Sequence, residues 1–530
     1  MCKRKIFSLL IAMVLLCING CSYPESTEES SSETSVVEKP MEIRIGFWNI
    51  QDYLKGDPLQ TYVEEKFNVK FIPVNITYDN YNSVLQELAV SDNLPDIFTH
   101  DIMGTSAYEN WIQEGKIRSV PKDLSAYPNL ETYLDQPYTQ RFRHSDGFFY
   151  AIPRMTYPNE ELWALDRCVL LRKDWMQNLG LSEPQSWEEF VDLLYAFVYE
   201  DPDGNGIDDT QGLATVNLYT LEVLYLSIFP ELSNTERGWI YEDNQWMPVY
   251  NSKRTGAALQ KIQQLYRKGL LSSNFAYGRN EARQDFVDGK VGAICMQYYA
   301  MLKYMNEQDK LDQAHDIIMV MRPWPAEDGK RYRFTTSLHW SESYFGNNVD
   351  DEKMTRILEI YDWLLSDEFN TIWSYGLEGI DWEYQNGKIV SLDQEGMSNG
   401  QSAPLIKYPS MNIFAYLTDW NQENQYENTP ANRILYGEEN ILYAQELLEW
   451  YASETCRVNY NFDVVFMSTP AKNNLTSNQE AQKEMAKAIM SDRDAAEVWE
   501  ESLAELQARN NLPLVIEEVT QKAEELGLEP

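Results

Sequence analysis

Apolar residues between positions 41 and 98 follow two periods in turn, and this pattern predicts alternating strands and helices. Ile43, Ile45 and Phe47 alternate with other residues along a first predicted strand. Downstream, the spacing predicts in order a helix over 59–67, a strand over 69–74, a helix over 81–88 and a short strand over 97–98. Strands alternating with helices at this pitch indicate right-handed crossovers and a parallel or mixed sheet, as in an α/β fold.

The ends of the predicted strands mark the place where a ligand would bind. In sheets of this kind, ligands lie beyond the carboxyl ends of the strands. The first and third strands end near Trp48–Asn49 and His100–Asp101, so the sequence predicts a binding site there. The first strand-to-helix turn lacks the glycine patterns of dinucleotide or ATP binding, which argues against nucleotide chemistry.

A second α/β block begins near residue 160, and the chain becomes mostly helical after residue 354. Residues 169–172 predict a strand, and Ser186 with Glu189 forms a capping box at the start of an amphipathic helix. The interval 238–250 predicts a hairpin that turns at 242–244. Residues 286–294 predict a helix end, a glycine turn and a buried strand, which Tyr298 and Tyr299 would end. The sequence therefore predicts two α/β lobes with a helix-rich C-terminal part.

The N-terminus carries the pattern of an export signal. The basic residues Lys3 to Lys5 precede an apolar run, Ile6–Ile18, that is too short to span a bilayer. The run is followed by Gly20 and Cys21, which resembles a bacterial lipobox whose cysteine carries two acyl chains. We therefore predict a lipoprotein signal peptide over 1–20, lipidation at Cys21 and a Ser/Glu-rich tether over 21–40. An ordinary secretory signal and an uncleaved anchor are the alternatives.

Composition and charge narrow the function classes further. The 530 residues include 44 Lys and Arg against 83 Asp and Glu, a formal net charge of −39, and a field this negative repels nucleic acid. Once the signal and Cys21 are set aside, three widely spaced cysteines remain, so at most one disulfide can form. The simpler interpretation is that all three, Cys168, Cys295 and Cys456, are buried thiols.

An acidic loop after residue 200 has the spacing of a calcium-binding loop. Oxygen side chains stand at loop positions 1, 3, 5 and 9, glycine stands at position 6, and a backbone carbonyl is expected from position 7. The predicted calcium ligands are Asp201, Asp203, Asn205, Ile207 and Asp209. Gly212 replaces the bidentate glutamate of position 12, so Thr210 or water would have to complete the ligand set. An acidic turn without metal is the alternative.

Ordered segments along nearly the whole mature chain resemble the family 1 extracellular solute-binding lipoproteins. Proteins of this family serve carbohydrate ABC importers of Gram-positive bacteria. The resemblance is carried by 94–97, 146–153, 170–175, 179–181, Pro184, 186–190, the acidic loop through Gly212–Leu213, 286–293, 375–380, 489–491 and Trp499.

This resemblance implies an α/β fold of the two-lobe, periplasmic-binding-protein-like kind (type II), with mixed sheets flanked by helices. The N-terminal lobe would hold residues 41–158 and part of about 310–400, and the C-terminal lobe 159–309 and most of about 400–530. The lobes would close on a sugar-like ligand, and a structural calcium ion would sit in the C-terminal lobe. We expect a monomer, lipid-anchored through palmitate at the extracellular face of the cell membrane, that hands an oligosaccharide to ABC transporter permease subunits.

Sugar recognition needs flat apolar faces and planar polar groups, and the chain offers several candidates for both. Trp48 ends the first strand, and Arg154 lies near the expected crossing between the lobes, where it could grip hydroxyl pairs. The predicted ligand-binding residues are Trp48, Arg154, Trp163, Tyr298, Tyr299, Trp340 and Trp382, with Tyr157 and Trp420 as further aromatic candidates. With 15 tryptophans in the chain, core packing is the alternative for each one.

Catalysis is not predicted. The chain has no GxSxG or HExxH motif, and 83 acidic residues make any carboxylate pair uninformative. A surface glycoside hydrolase or lyase, a binding protein for another solute such as a peptide, and a structural surface protein are the alternative functions.

Overall fold

The computed structural model of the protein describes residues 39–77, 80–157, 159–235, 238–273, 275, 279–392, 407–418, 425–428, 430–475 and 479–529. From Pro40 onward the chain forms one compact unit. The predicted signal peptide, the lipidated Cys21 and the tether up to residue 38 lie outside the described residues, as does Trp420.

The strands and helices alternate along most of the chain. The strands are β1 Met41–Trp48, β2 Val69–Ile76, β3 Ile97–His100, β4 Ala151–Met155, β5 Cys168–Arg172, β6 Gln211–Thr215, β7 Trp239–Glu242, β8 Gln245–Pro248, β9 Val291–Met296, β10 Ile318–Val320, β11 Tyr332–Arg333, β12 His339–Phe345, β13 Trp382–Gln385, β14 Lys388–Ser391 and β15 Cys456–Arg457.

Helices connect these strands and form most of the C-terminal part. The α-helices are α1 Ile50–Tyr53, α2 Pro58–Phe67, α3 Tyr81–Val90, α4 Ser106–Gln113, α5 Pro128–Leu134, α6 Pro137–Gln140, α7 Lys173–Leu179, α8 Trp187–Tyr199, α9 Leu218–Leu221, α10 Thr255–Arg267, α11 Arg279–Val287, α12 Tyr298–Glu307, α13 Ala314–Ile317, α14 Asp351–Leu364, α15 Asp367–Tyr375, α16 Met411–Thr418, α17 Pro430–Tyr436, α18 Glu438–Glu454, α19 Phe462–Phe466, α20 Gln479–Met490, α21 Ala495–Arg509 and α22 Leu512–Glu525. Short 3₁₀ turns occupy Glu160–Leu165, Glu222–Ser227, Pro230–Leu232, Val249–Asn251, Leu311–Gln313 and Lys472–Asn474.

The first sheet has five strands in the order β2-β1-β3-β12-β4. Strand β1 pairs in parallel with β2 and β3, whereas β12 runs antiparallel to both β3 and β4. Its apolar face is fully buried at Ile43 and Ile45, as the alternation predicts. Helices α14 and α16 pack over the same hydrophobic core. We call this sheet, its helices and their common core the first lobe.

The second sheet has four strands in the order β10-β5-β9-β6. Strand β9 pairs in parallel with β6 and antiparallel with β5, so this sheet is mixed as well. Helix α8 packs on the sheet, and α10, α20 and α21 pack on one another beside it. We call this sheet, its helices and their separate hydrophobic core the second lobe.

The chain passes from one lobe to the other more than once. It crosses between β4 and β5, returns between β10 and β12, and crosses again after α16, which packs on the first lobe, to reach α17 in the second. Because the lobes exchange chain segments, neither is a continuous stretch of sequence. Domains joined in this way move relative to each other by small changes in the crossing segments.

Several local predictions are confirmed. The predicted hairpin is the pair β7–β8, and its turn residues Asp243 and Asn244 have φ values of 51° and 64°, as a tight hairpin turn requires. Ser186 caps helix α8 as predicted, because its hydroxyl accepts the Glu189 N–H at 3.1 Å. The reciprocal bond of the capping box is shifted by one residue, since Glu189 Oε2 accepts the N–H of Gln185 at 2.8 Å.

Two local predictions are wrong. Tyr298 and Tyr299 do not end the strand from Val291, because β9 stops at Met296 and Tyr298 is the first residue of helix α12. The three remaining cysteines are free thiols, but only Cys168 and Cys295 are buried, whereas Cys456 is exposed on the edge strand β15.

Candidate functional site

The carboxyl ends of β1 and β3 lie side by side at one edge of the first sheet. The two strands end at Trp48 and His100, as the sequence predicts, and their pairing is parallel, so both ends reach the same edge. Gly46 allows this close approach, because a Cβ atom there would come within 2.9 Å of side-chain atoms of Ile76 and Pro95. Side chains at this edge are therefore the first candidates for ligand contact.

Three aromatic rings from distant parts of the chain meet at this edge. The ring centres of Trp48 and Trp340 are 5.0 Å apart, and those of Trp48 and Tyr81 are 5.5 Å apart. Trp48 and Tyr81 are buried, whereas Trp340 is half-buried. We call Trp48, Trp340, Tyr81 and the adjacent Arg154 the Trp48 cluster.

An irregularity in β12 accompanies the placement of Trp340 in this cluster. The register between β12 and β4 shifts between His339 and Glu342, and Ser341 has a φ of 59°. A bulge of this kind re-aims the side chains beside it. The half-exposed indole of Trp340 is thus available for contact while its neighbours His339 and Ser341 are buried.

Arg154 supplies a cation to the Trp48 cluster. Its guanidinium carbon lies 5.2 Å from the ring centre of Phe47 and 5.2 Å from that of Trp48, and the side chain is fully buried. A guanidinium group against aromatic faces gains cation–π energy and stays flat and oriented. Tyr416 stacks on Phe47, with the two ring centres 6.2 Å apart. Burial raises the pKa of Tyr416 to about 12, so its hydroxyl stays a neutral donor and acceptor.

The second lobe presents phenol groups and one carboxyl group. The rings of Tyr157 and Trp163 meet edge to face at 4.6 Å, and the Tyr157 hydroxyl lies 2.5 Å from the Asp166 carboxylate. Burial raises the pKa of Asp166, and the positive charge of Arg167 opposes that shift. Burial, and then the charge of Asp166, also raises the pKa of Tyr299.

Tyrosines of the two lobes come close to one another where the lobes meet. Tyr416 belongs to a helix on the first lobe, whereas Tyr299 and Tyr436 pack on the core of the second. Burial raises the pKa of Tyr436, and the nearby Tyr416 and Tyr299 add to that shift. Tyr53 of the first lobe has its pKa raised by burial, then by Asp52 and by Glu307 of the second lobe. The candidate site therefore lies where the two lobes meet, and phenol and indole groups make up most of it.

The other predicted ligand residues lie elsewhere. Tyr298 is 1% exposed and packs between the rings of Tyr426 and Tyr443, and Trp163 lies in the core of the second lobe. Trp382 lies in the hairpin β13–β14 with its Nε1–H donated to the Gly376 carbonyl at 2.9 Å. It lines a separate groove of about 890 Å³ between α2 and α15. Their contact with a ligand stays a prediction, whereas Trp48, Trp340 and Arg154 are brought together.

Pattern analysis missed Tyr416 as a site residue and treated Tyr81 only as part of a helix face. Tyr81 is the first residue of α3 and follows the predicted second strand, so its place after a strand end was a usable signal. Tyr416 carries no such signal, because only the packing of α16 against β4 brings it to the edge of the first sheet.

The acidic loop retains the donor types that calcium prefers. All five predicted ligands are found in one turn, where Asp201 Oδ2 accepts the Gly206 N–H at 3.0 Å and the Asn205 amide lies 2.8 Å from Asp203 Oδ2 and 3.4 Å from Asp209 Oδ1. All five are exposed, as are most residues of the turn. Among the residues the structure describes, however, no group of three or more His, Cys, Asp or Glu is arranged to hold a metal.

Two neighbours of this loop explain its departure from the usual pattern. A Cβ atom at Gly212 would come within 2.6 Å of the Leu270 carbonyl oxygen, so a glutamate has no room there. Thr210 is buried and donates its hydroxyl to the Phe197 carbonyl at 2.7 Å, so the expectation that it completes the ligand set finds no support. Water would have to supply the remaining oxygens.

The described helices include none that is long and apolar enough to cross a membrane. The two lobes, each with its own sheet and hydrophobic core, define a two-domain α/β protein. A family model described as bacterial extracellular solute-binding protein matches residues 53–371. The chain belongs to this family.

Relatives and solved structures agree with this assignment. Over 409 residues, covering 75% of this chain and 77% of the relative, the chain is 24% identical to lipoprotein LipO of Bacillus subtilis (strain 168). It is 22% identical over 410 residues, 74% of this chain and 77% of the relative, to the polygalacturonan/rhamnogalacturonan-binding protein YtcQ of the same organism. The substrate-binding protein FusA of Streptococcus pneumoniae, solved with kestose, superposes with a TM-score of 0.70 and 16% identity, covering 92% of this chain and 99% of FusA.

Proposed function

We propose that this protein captures an oligosaccharide in the cleft between its two lobes and delivers it to the permease of an ABC transporter. The observation that carries the proposal is the Trp48 cluster, in which the half-exposed indole of Trp340 stands over Trp48 with Arg154 beside them. An indole face stacks on the C–H surface of a sugar ring, and the surrounding hydroxyl groups pair with its hydroxyls.

Closure of the lobes is the proposed mechanism. A ligand that touches Trp340 in the first lobe and Tyr299 in the second would make its full set of contacts only when the cleft is shut. Such a ligand shifts the population toward the closed form by its extra affinity for that form. The permease would then recognise the closed form. We propose lobe limits of 41–158 with part of about 310–400, and 159–309 with most of about 400–530, for the two moving bodies.

The sugar class is supported by the names of two relatives. YtcQ is named for polygalacturonan and rhamnogalacturonan, and FusA, which is 29% identical over 163 residues (29% of this chain and 30% of FusA), is named for fructooligosaccharides. These two ligand classes differ in charge. The proposal therefore covers oligosaccharides in general, and binding without turnover agrees with a family of binding proteins.

The proposal also includes a lipid anchor and a bound calcium ion. Lipidation at Cys21 would hold the protein at the extracellular face of the cell membrane through a palmitate-bearing anchor, as a monomer, and the name of the relative LipO supports a lipoprotein. A calcium ion on Asp201, Asp203, Asn205, Ile207 and Asp209 would fasten the loop between α8 and β6. A FusA structure described as an EF-hand mutant supports this site.

The test is thermal unfolding of residues 40–530, which form the compact unit, against kestose and against short fragments of polygalacturonan and alginate. A ligand at about 100 times its Kd adds about 2.7 kcal/mol of stability, which raises the Tm by a degree or more. A saturable shift with the sugar recovered unchanged is expected. Release of a shorter product would favour the hydrolase or lyase instead. If no sugar raises the Tm and a peptide does, the oligosaccharide proposal is contradicted.

A further inference from the structure

A short segment of the second lobe reaches into the first. Helix α19 has Val464 fully buried in the core of the second lobe, whereas Phe466, two residues later, packs on the core of the first. The ring centre of Phe466 lies 4.8 Å from that of Phe142 in the first lobe. We call residues 462–474, from α19 through the 3₁₀ turn Lys472–Asn474, the bridge segment.

Other contacts tie the bridge segment to the first lobe. Gly104, with a φ of 75°, lies so close to it that a Cβ atom there would stand 3.4 Å from the Val465 carbonyl oxygen. Asp463 Oδ1 lies 3.5 Å from Arg141 Nε, and helix α4 packs against the 3₁₀ turn of the bridge segment. The bridge segment therefore touches the first lobe with both of its ends.

The bridge segment lies beside the places where the chain crosses between the lobes. It follows β15, which pairs in parallel with β11 in the crossing segment between β10 and β12. Arg457 of β15 forms an ion pair with Glu160 in the crossing between β4 and β5. Thr335 of one crossing and Asn461 line a common polar pocket of about 540 Å³. The bridge segment therefore lies beside two of the three crossings between the lobes.

Lys472 holds the bridge segment in shape. Its Nζ donates to the carbonyl oxygens of Val464 at 3.2 Å, Val465 at 2.5 Å and Met467 at 2.5 Å. The three hydrogens of the ammonium group thus meet three acceptors at the end of α19. The Val464 carbonyl also accepts the Met467 N–H at 3.4 Å, so Lys472 adds a second donor there. Truncation of the Lys472 side chain would remove one donor from each of the three carbonyl groups.

Burial of the Lys472 ammonium group costs solvation free energy, yet the side chain is almost completely buried. Lys472 is 6% exposed, and the ring centre of Trp239 lies 5.5 Å from its Nζ. No carboxylate among the described residues pairs with it, and burial lowers its pKa to about 7. Nearby, Glu518 accepts the Ala471 N–H at 2.7 Å, so the turn is held at its backbone as well. Such a cost points to a requirement for a rigid backbone here.

We propose that the bridge segment is the pivot on which the two lobes turn, and that Lys472 is the positioning residue that keeps this pivot rigid. The inference goes beyond the proposed sugar binding, because a rigid pivot limits the directions in which the lobes can open, with or without a ligand. When the lobes move, the ring of Phe466 would slide over the ring of Phe142, and this apolar contact would persist. Lys472 would keep α19 fixed to the second lobe.

The test measures distances between the lobes in ligand-free protein, so it does not depend on the sugar. Spin labels are placed on Val90→Cys in the first lobe and Leu442→Cys in the second, with Cys456→Ser to remove the exposed thiol. Lys472→Met should broaden and shift the distribution of distances relative to the parent. The control is Lys487→Met, which removes an exposed lysine of the second lobe that pairs with its neighbour Glu484.

A purely structural lysine would lower the Tm without changing the distance distribution, and that result would overturn the proposal. If Lys472→Met fails to fold, the same distances are measured in Phe466→Ala. This variant removes the contact with Phe142 and leaves Lys472 in place. An unchanged distribution in Phe466→Ala would overturn the pivot, whereas broadening supports it. Failure of every sugar to bind would contradict the proposed function but leave this result standing.

Discussion

The indoles of Trp48 and Trp340 lie with their ring centres 5.0 Å apart and their planes 31° apart, although one ends the first strand and the other begins the last strand of the same sheet. Tyr81 meets Trp48 nearly edge-on, so Trp340 is the half-exposed member of the cluster. The pair gives the first lobe an apolar platform at the edge of the cleft.

Replacing Trp340 with alanine should weaken oligosaccharide binding by about tenfold or more, because a central aromatic anchor commonly carries more than about 1.4 kcal/mol. Unfolding should stay cooperative, since the side chain is only half-buried. Isothermal titration measures the affinity. Tyr195→Ala is the matched control, because Tyr195 is 52% exposed on helix α8 of the second lobe, outside the cluster. Equal affinities for Trp340→Ala and Tyr195→Ala would remove Trp340 from the site.

Arg154→Lys should bind sugar as poorly as Arg154→Met. The guanidinium plane lies against Phe47 and Trp48, and an ammonium group cannot reproduce that stacking or a two-pronged hydrogen bond. The measurement compares the affinities of both variants with the parent after circular dichroism has shown that they fold. Full recovery by lysine would mean that only the charge matters, contrary to this expectation.

Removal of calcium should lower the Tm if the acidic loop holds the ion, because a ligand bound only to the folded state stabilises it. Metal-stripped protein is melted with and without added calcium, alongside an Asp203→Asn, Asp209→Asn double variant. The stabilising effect of calcium should vanish in that variant and persist in Asp312→Asn, an exposed carboxylate elsewhere in the second lobe. A calcium effect that survives in the double variant would place the ion somewhere else.

Acid should destabilise the protein through His339. Burial, with a further effect of the Arg141 charge, lowers the pKa of His339 to about 3, whereas the unfolded residue titrates near 6.5. Between these two values the unfolded chain binds the extra proton, so the free energy of unfolding falls as the pH drops below 6.5. From pH 6.5 to 5 this contribution is about 2 kcal/mol.

The measurement is urea unfolding at pH 7 and pH 5 for the parent and for His339→Gln. The variant should lose about 2 kcal/mol less than the parent over this range. Losses of equal size in both proteins would show that His339 titrates normally in the folded state.

Thiol labelling should separate the three cysteines of residues 40–530. Cys456 is exposed on an edge strand, whereas burial raises the pKa values of Cys168 and Cys295 and hides both from reagents. A thiol reagent under native conditions should modify one group quickly, and the other two only after unfolding. Mass spectrometry of the labelled peptides identifies the site. Rapid labelling of Cys168 would show that the second lobe opens readily.

Local structure was predictable because its causes lie close together in the chain. The alternation of Ile43, Ile45 and Phe47 predicts β1, and the Ser186–Glu189 capping box predicts the start of α8. The same patterns correctly predicted that β1 and β3 end at Trp48 and His100. Tyr298 shows the limit, because a glycine turn and a buried strand did not reveal that the strand ends at Met296 and a helix begins two residues later.

The sequence by itself determined the elements, the α/β class, the family resemblance and the export pattern, since each rests on neighbouring residues or on ordered motifs. Only the tertiary structure decided which aromatic residues share a site. It placed β12 between β3 and β4, packed α16 against β4, and so brought Trp340 and Tyr416 to the end of β1. Packing within the second lobe buried Tyr298 in a core, and the fold of residues 462–474 brought Lys472 Nζ to three carbonyl groups. Long-range contacts of this kind depend on the summed burial of many side chains, and no short stretch of sequence contains that sum.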